Sequence, residues 1–122
     1  MKSEKRILLI NDEPEMLSQM ERWLIQEGHY IKSCQTGRGG VQLMREMKFD
    51  LVFLDYHLKK ELDGETTARV IIPELRKINP SVPIIVVSAT ERNLTPDDLG
   101  VLAVLRVTSS CWQQMAIWAS IA

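Results

Sequence analysis

The chain has 122 residues, enough to bury one apolar core without disulfide staples, so residues 1–122 are expected to form a single domain. Fifteen basic residues against sixteen acidic ones leave a net charge of -1, which points away from nucleic acid and from anionic membrane surfaces as the main partner. No apolar run approaches the roughly 18 residues that span a bilayer, and the start Lys2-Ser3-Glu4-Lys5-Arg6 leads into no signal-type segment, so a cytoplasmic protein is expected.

In chain order, Ile7–Ile10 is apolar throughout, the pattern of a strand buried on both faces. Pro14 suits the first turn of a helix whose stripe is Leu17, Met20 and Leu24, with Met16 and Trp23 beside it and Gly28 at its end. Tyr30–Cys34 is a second strand. Thr36-Gly37-Arg38-Gly39-Gly40 reads as a loop leading into a helix that carries Val41, Met44 and Met47. Asp50–Leu54 is the third strand, with a polar loop over Lys59–Gly64 after it. The next helix carries Ala68, Ile71, Ile72, Leu75 and Ile78 at helical spacing, with Pro73 predicting a kink or an early break and Asn79-Pro80 a stop. Val82–Val87 is a central-type strand, Thr95-Pro96-Asp97-Asp98 a capped single turn, and Val101–Val107 a fifth strand. Trp112, Met115, Ala116 and Ala119 give the last helix one apolar side. The alternation is (βα)5, which predicts an α/β fold with a doubly wound, five-stranded parallel sheet.

The chemistry sits at strand ends. Asp12-Glu13 comes just after the first strand and Asp55 closes the run Leu51-Val52-Phe53-Leu54, so the sheet brings carboxylates to one carboxyl edge, where open α/β sheets bind ligands. Clustered carboxylates repel unless a proton or a hard cation lies between them. A divalent metal site with one aspartate free to react is the simplest reading. Each residue also has a plainer role. Asp12 or Glu13 can cap the first helix, Asp55 can be a turn carboxylate, and Ser88 a loop hydroxyl. His57 reads as an exposed loop histidine rather than a side-chain ligand, and His29 as a surface residue. Arg38 among glycines is a weak phosphate signal. Cys34 and Cys111 lack CxxC spacing and read as reduced, partly buried small hydrophobes.

Ile7-Leu8-Leu9-Ile10-Asn11-Asp12-Glu13-Pro14 resembles the opening of the receiver domain of bacterial two-component response regulators. Asp50 to Leu58, with Asp63-Gly64 after it, is similar to that family's phosphoacceptor strand and loop, and Pro83 to Thr90 to its fourth strand. The resemblance covers nearly the whole chain and implies a flavodoxin-like, CheY-like fold. It implies that Asp55 takes a phosphoryl group from a histidine kinase or a phosphotransfer protein, with Mg2+ as cofactor. Asp12, Asp55 and the backbone carbonyl of His57 are then the metal ligands, with Asn11 reaching the metal through water. Ser88 donates its hydroxyl to a phosphoryl oxygen and Ala89 leaves room for it. On this reading the chain is a signalling domain, not an enzyme, and catalyses only its own phosphorylation.

Four departures stand out. Asn11 replaces the first acid of the pair and supplies no charge. The loop after Asp55 is one residue longer than the commonest spacing. Counting seven residues on from Gly100 places Val107 where the family has a lysine, while Arg106, one residue earlier, is expected to face away from the site. The fourth helix is also reduced to about one turn, which weakens any inference about the usual signalling surface. The alternative is a degenerate receiver that serves as a protein-interaction module with weak or no phosphorylation switching. A haloacid-dehalogenase-like phosphatase would need Asp-x-Asp on the first strand, and a dinucleotide domain a GxGxxG after it; neither is present. The apolar end of the last helix suggests a native chain that continues past Ala122. That helix, with Trp112 and Trp118 unable to share one core face, suggests a contact with an output domain or a second copy.

Overall fold

The computed structural model describes residues 4–61, 64–89, 93–108 and 111–121. Five strands form the predicted parallel sheet: β1 (Arg6–Ile10), β2 (Tyr30–Cys34), β3 (Leu51–Asp55), β6 (Ile84–Ser88) and β7 (Ala103–Arg106). Their spatial order is β2-β1-β3-β6-β7, so the chain reverses direction across the sheet between β1 and β3. That reversal creates a crevice at the carboxyl ends of β1 and β3.

Helices cover both faces, and the alternation along each strand decides which residues face which. Ile7, Leu9, Leu51, Phe53, Ile85 and Val87 pack with Leu17, Met20 and Leu24 of α1 (Pro14–Gln26) and with Met115 and Ala119 of α5 (Cys111–Ile121). Leu8, Ile10, Val52, Leu54, Ile84 and Val86 pack on the other face with α2 (Gly37–Glu46), α3 (Ala68–Ile78) and Leu99 of the single-turn α4 (Pro96–Leu99). Strands buried on both faces have no polar side, which is why they read as continuous apolar runs. Gly28, at φ +92°, takes the left-handed conformation that ends α1.

Several expectations from the sequence need correction. The glycine-rich stretch is not a loop but the first turn of α2. Thr36 caps it by accepting from the Gly39 N–H at 2.9 Å, and a Cβ on Gly40 would meet the Ile10 side chain, 2.8 Å from Cγ1. Close approach to β1, not turn chemistry, requires that glycine. Of the stretch expected as a polar loop over Lys59–Gly64, the described residues, Lys59 to Glu61 and Gly64, belong instead to an antiparallel ribbon, β4 (His57–Glu61) with β5 (Gly64–Thr67), pairing His57 with Thr67 and Leu58 with Thr66. Leu58 is fully buried, and this anchors the ribbon. α3 runs on through Pro73, which stands on its exposed side while Ile71, Ile72 and Leu75 hold the helix to the sheet. His29 is buried rather than on the surface, because its Nδ1 accepts the Lys5 N–H at 3.1 Å.

The cysteines are free, Cys111 buried and Cys34 half-buried, as expected. Trp112 and Trp118, expected to be unable to share one core face, in fact both pack partly against the α1/α5 face of the core, each half-buried. Among the described residues, no helix is long and apolar enough to cross a membrane.

Candidate functional site

Register places the acidic residues. Ile10 pairs with Leu54 across β1 and β3, so the residues just beyond, Asp12 and Asp55, emerge side by side at the carboxyl edge. Asp55 is the last residue of β3 and shares the α1/α5 side of the sheet with its partner Val87 on β6. Ser88, the next residue, ends β6 and is 1% exposed, and the exposed Ala89 comes after it.

The two carboxyl groups lie close enough to act on each other. Burial, the Asp12 charge and a side-chain hydrogen bond to Asp12 push the Asp55 carboxyl up from 3.8 to about 7, with Glu13 adding a smaller push and the Tyr56 backbone N–H pulling the other way. A half-buried carboxyl raised in this way by a neighbouring carboxylate marks a place where positive charge is missing. Asp12 is not the helix cap. Glu13 is the N-cap residue of α1, without a side-chain capping bond, and Asp12 Oδ2 accepts the main-chain N–H of Lys59 at 2.8 Å. The ribbon therefore holds the Asp12 side chain in place.

Asn11 is wholly buried. Its Oδ1 accepts the Glu13 N–H at 2.9 Å and its Nδ2 lies 3.8 Å from Met20 Sδ. His57, read from the sequence as an exposed loop residue, instead opens β4 half-buried, with its ring edge-on to Tyr56, centroids 4.9 Å apart. Tyr56 is itself fixed by its N–H to the Val87 carbonyl at 3.0 Å, and its hydroxyl accepts from Arg69 Nε at 3.0 Å. Val107 lies just past β7 and donates its N–H to the Ser88 carbonyl at 3.1 Å, while its side chain is 38% exposed. Arg106 is the register partner of Ser88 and so lies toward the α2/α3 side of the sheet, away from Asp55. Asp63 and Thr90 lie outside the described residues.

Asp12, Asp55 and the end of β6 are thus brought together. Arg38 is on the exposed side of α2, within a regular helix and not in a phosphate loop. The Lys59 N–H is a site group that the sequence reading missed. Its only signal there is Leu58, then β-branched Thr66-Thr67, around an Asp-Gly dipeptide, a hairpin pattern. No cluster of three His, Cys, Asp or Glu forms among the described residues. The donor set is two carboxylates, with no cysteine or histidine side chain among the described residues shown to join them, which suits a hard ion that keeps several waters, and not zinc.

Residues 7–100 match the family described as the response regulator receiver domain. The transcriptional regulatory protein GlrR of Escherichia coli (strain K12) is 29% identical over 83 residues, covering 68% of this chain and 18% of that protein. The probable C4-dicarboxylate response regulator DctR of Bacillus subtilis (strain 168) is 34% identical over 93 residues, covering 74% of this chain and 38% of its own length. The chain thus spans well under half of these curated relatives. A CheY-like receiver domain protein from Methanospirillum hungatei JF-1 superposes with TM-score 0.81 at 18% identity, covering 95% of this chain and 91% of that one. A response regulator from Burkholderia pseudomallei with a phosphorylated aspartic acid, calcium ion and citrate gives 0.79 at 19% identity, covering 98% and 67%.

Proposed function

The chain belongs to the response regulator receiver domain family, and from that premise we propose that Asp55 is its phosphoacceptor. The observation that carries the proposal is the Asp12–Asp55 pair: two carboxyl groups that the β1–β3 register brings together at the switch point of the sheet, where burial and the Asp12 charge raise the Asp55 carboxyl to about 7. In the Burkholderia pseudomallei relative an aspartic acid is phosphorylated with a calcium ion present, which agrees with this role.

Mg2+ is the proposed cofactor, and when bound it would supply the positive charge that two carboxylates and a phosphoryl group require. Asp12, Asp55 and the His57 carbonyl would hold it, with Asn11 reaching it through water from the free lone pair of Oδ1. The chain's own residues do the rest. Asp55 must give up its proton before it can attack. One carboxylate oxygen then forms a bond to phosphorus as the P–N bond to a kinase or phosphotransfer-protein histidine breaks, and the leaving nitrogen is protonated from solvent. Ser88 shares the α2/α3 side of the sheet with Arg106, so as the proposed donor it must turn at the strand end for its hydroxyl to meet a phosphoryl oxygen, and Ala89 keeps the entrance small. The domain signals by this modification and is not an enzyme acting on a separate substrate. An output domain or a second copy meeting the last helix is the proposed downstream partner, in a cytoplasmic setting, with no direct nucleic-acid or membrane contact.

Val107 favours a second reading, an interaction module in which phosphorylation shifts the conformation little. Both are tested by intact mass after incubation with acetyl phosphate and Mg2+. One alkali-labile phosphoryl group is expected on the parent and none on Asp55→Asn. Labelling that persists in Asp55→Asn rejects the assignment. A parent that stays unlabelled with this donor and with a phosphorylated kinase leaves the interaction module as the function.

A further inference from the structure

A phosphoryl group on Asp55 brings close to two negative charges to a place already crowded by Asp12 and Glu13. Donors from the protein must meet part of that charge. The residue tied to Ser88 at the end of β7 is Val107, which has none to offer. Arg106 lies on the opposite side of the sheet from Asp55, and Arg69 is engaged with the Tyr56 hydroxyl.

Lys59 stands differently. Its main-chain N–H donates to Asp12 Oδ2 at 2.8 Å, which puts its Cα roughly 4 Å from that oxygen, given an N–Cα bond of about 1.5 Å. Asp12 in turn is hydrogen-bonded to Asp55. The Lys59 side chain is exposed, and its four-carbon stem extends about 6 Å, far enough to reach across Asp12 to a group on Asp55. We propose that Lys59, delivered by the β4–β5 ribbon, is the cation that pairs with the phosphoryl group on Asp55 in this chain. The proposal rests on the phosphoacceptor reading. It assigns the ribbon a purpose: one residue holds Asp12 with its backbone and meets the phosphoryl group with its ammonium.

The arrangement gives a clean experiment, because the bond to Asp12 comes from the main chain and survives any side chain except proline. The full chain is incubated with acetyl phosphate and Mg2+ as parent, Lys59→Ala, Lys59→Arg and Arg106→Ala. Labelling rate is read by intact mass, and the phosphoryl environment by its 31P chemical shift. Lys59→Ala should label on the order of tenfold more slowly, the size of a charge-assisted hydrogen bond of about 1.4 kcal/mol, and should move the 31P resonance. Lys59→Arg should recover most of the rate, Arg106→Ala should match the parent, and unlabelled melting temperatures should agree. A Lys59→Ala protein that labels like the parent with an unmoved resonance overturns the proposal while Asp55 remains the phosphoacceptor. So does a loss that Lys59→Arg fails to restore, or one that appears in Arg106→Ala instead. A parent that takes no label from acetyl phosphate or from a phosphorylated kinase overturns the phosphoacceptor reading, and Lys59 with it.

Discussion

Replacing Asp55 by asparagine should stabilise the metal-free protein, and the reason lies in its proton. In the folded chain the Asp55 carboxyl titrates at about 7 against 3.8 ordinarily, chiefly because it is buried and faces Asp12. Below 3.8 both the folded and unfolded states hold the proton. Between 3.8 and about 7 the folded state keeps it while the unfolded chain has lost it, so stability falls as pH rises through that window and levels off above it. At about 1.4 kcal/mol for each tenfold in proton affinity the full span is worth ~4 kcal/mol. Solvent reaching the half-buried carboxylate reduces that to about 2–3 kcal/mol. Asp55→Asn removes the charge and keeps a side chain whose amide can donate to Asp12. Urea denaturation in EDTA at pH 5, 6, 7 and 8, monitored by far-UV circular dichroism, should show the variant ahead of the parent by about 2–3 kcal/mol at pH 8, with the gap closing toward pH 5. Adding Mg2+ at pH 8 should stabilise the parent more than the variant. A variant equally or less stable at pH 8, or a gap that does not change with pH, would refute the picture of two carboxylates acting on each other.

Gly40→Ala should cost about 1–3 kcal/mol in the same denaturation assay, because the new Cβ runs into the Ile10 side chain and α2 must back away from β1; an unchanged midpoint would mean that Ile10 can rotate aside. Val107→Lys places an ammonium beside the end of β6. Two unit charges about 4 Å apart attract by ~4 kcal/mol at an effective dielectric near 20, and the exposure of this position lowers the gain to about 1 kcal/mol. The NMR shifts induced in the Ser88 segment and in β7 by a phosphoryl mimic with Mg2+ should therefore grow, and the same change should rescue labelling in Lys59→Ala. Shifts no larger than those of the parent would show that the charge is already met from elsewhere.

The parallel sheet was legible in the sequence because the central strands β1, β3 and β6, buried on both faces, leave apolar runs, and these, with two weaker strand patterns at the edges and helical patterns between, admit few other folds. The carboxylate pair was legible for a related reason: β1 and β3 are neighbours and parallel, so the residues just past each strand meet at one edge. The misread positions share a cause. Thr36-Gly37-Arg38-Gly39-Gly40 has loop chemistry, yet Gly40 is set by the distance between a helix and Ile10, a tertiary demand without local sign. Pro73 should interrupt a helix, yet its place on the outer side confines the lost hydrogen bond to where water can replace it. His29 looked exposed because the Lys5 N–H that it serves lies 24 residues away in sequence.

The ribbon was the least legible part, and it bears most directly on the site. β1 and β3 alone bring Asp12 and Asp55 together by register, but register cannot prevent two carboxylates from swinging apart. The Lys59 N–H supplies that restraint, fixing Asp12 Oδ2 at 2.8 Å through a bond that any non-proline residue can make and that no motif records. Holding the pair together lowers the stability of the metal-free fold by the cost of keeping one proton bound near neutral pH. The same cost is recovered by whatever cation enters, since a ligand that binds only the folded state stabilises it in proportion to its own affinity. A site strained in this way would bind the proposed cation more tightly than two relaxed carboxylates would. Under that proposal the strain would offset part of the charge missing at Asn11, leaving Asp55 able to serve as the proposed phosphoacceptor.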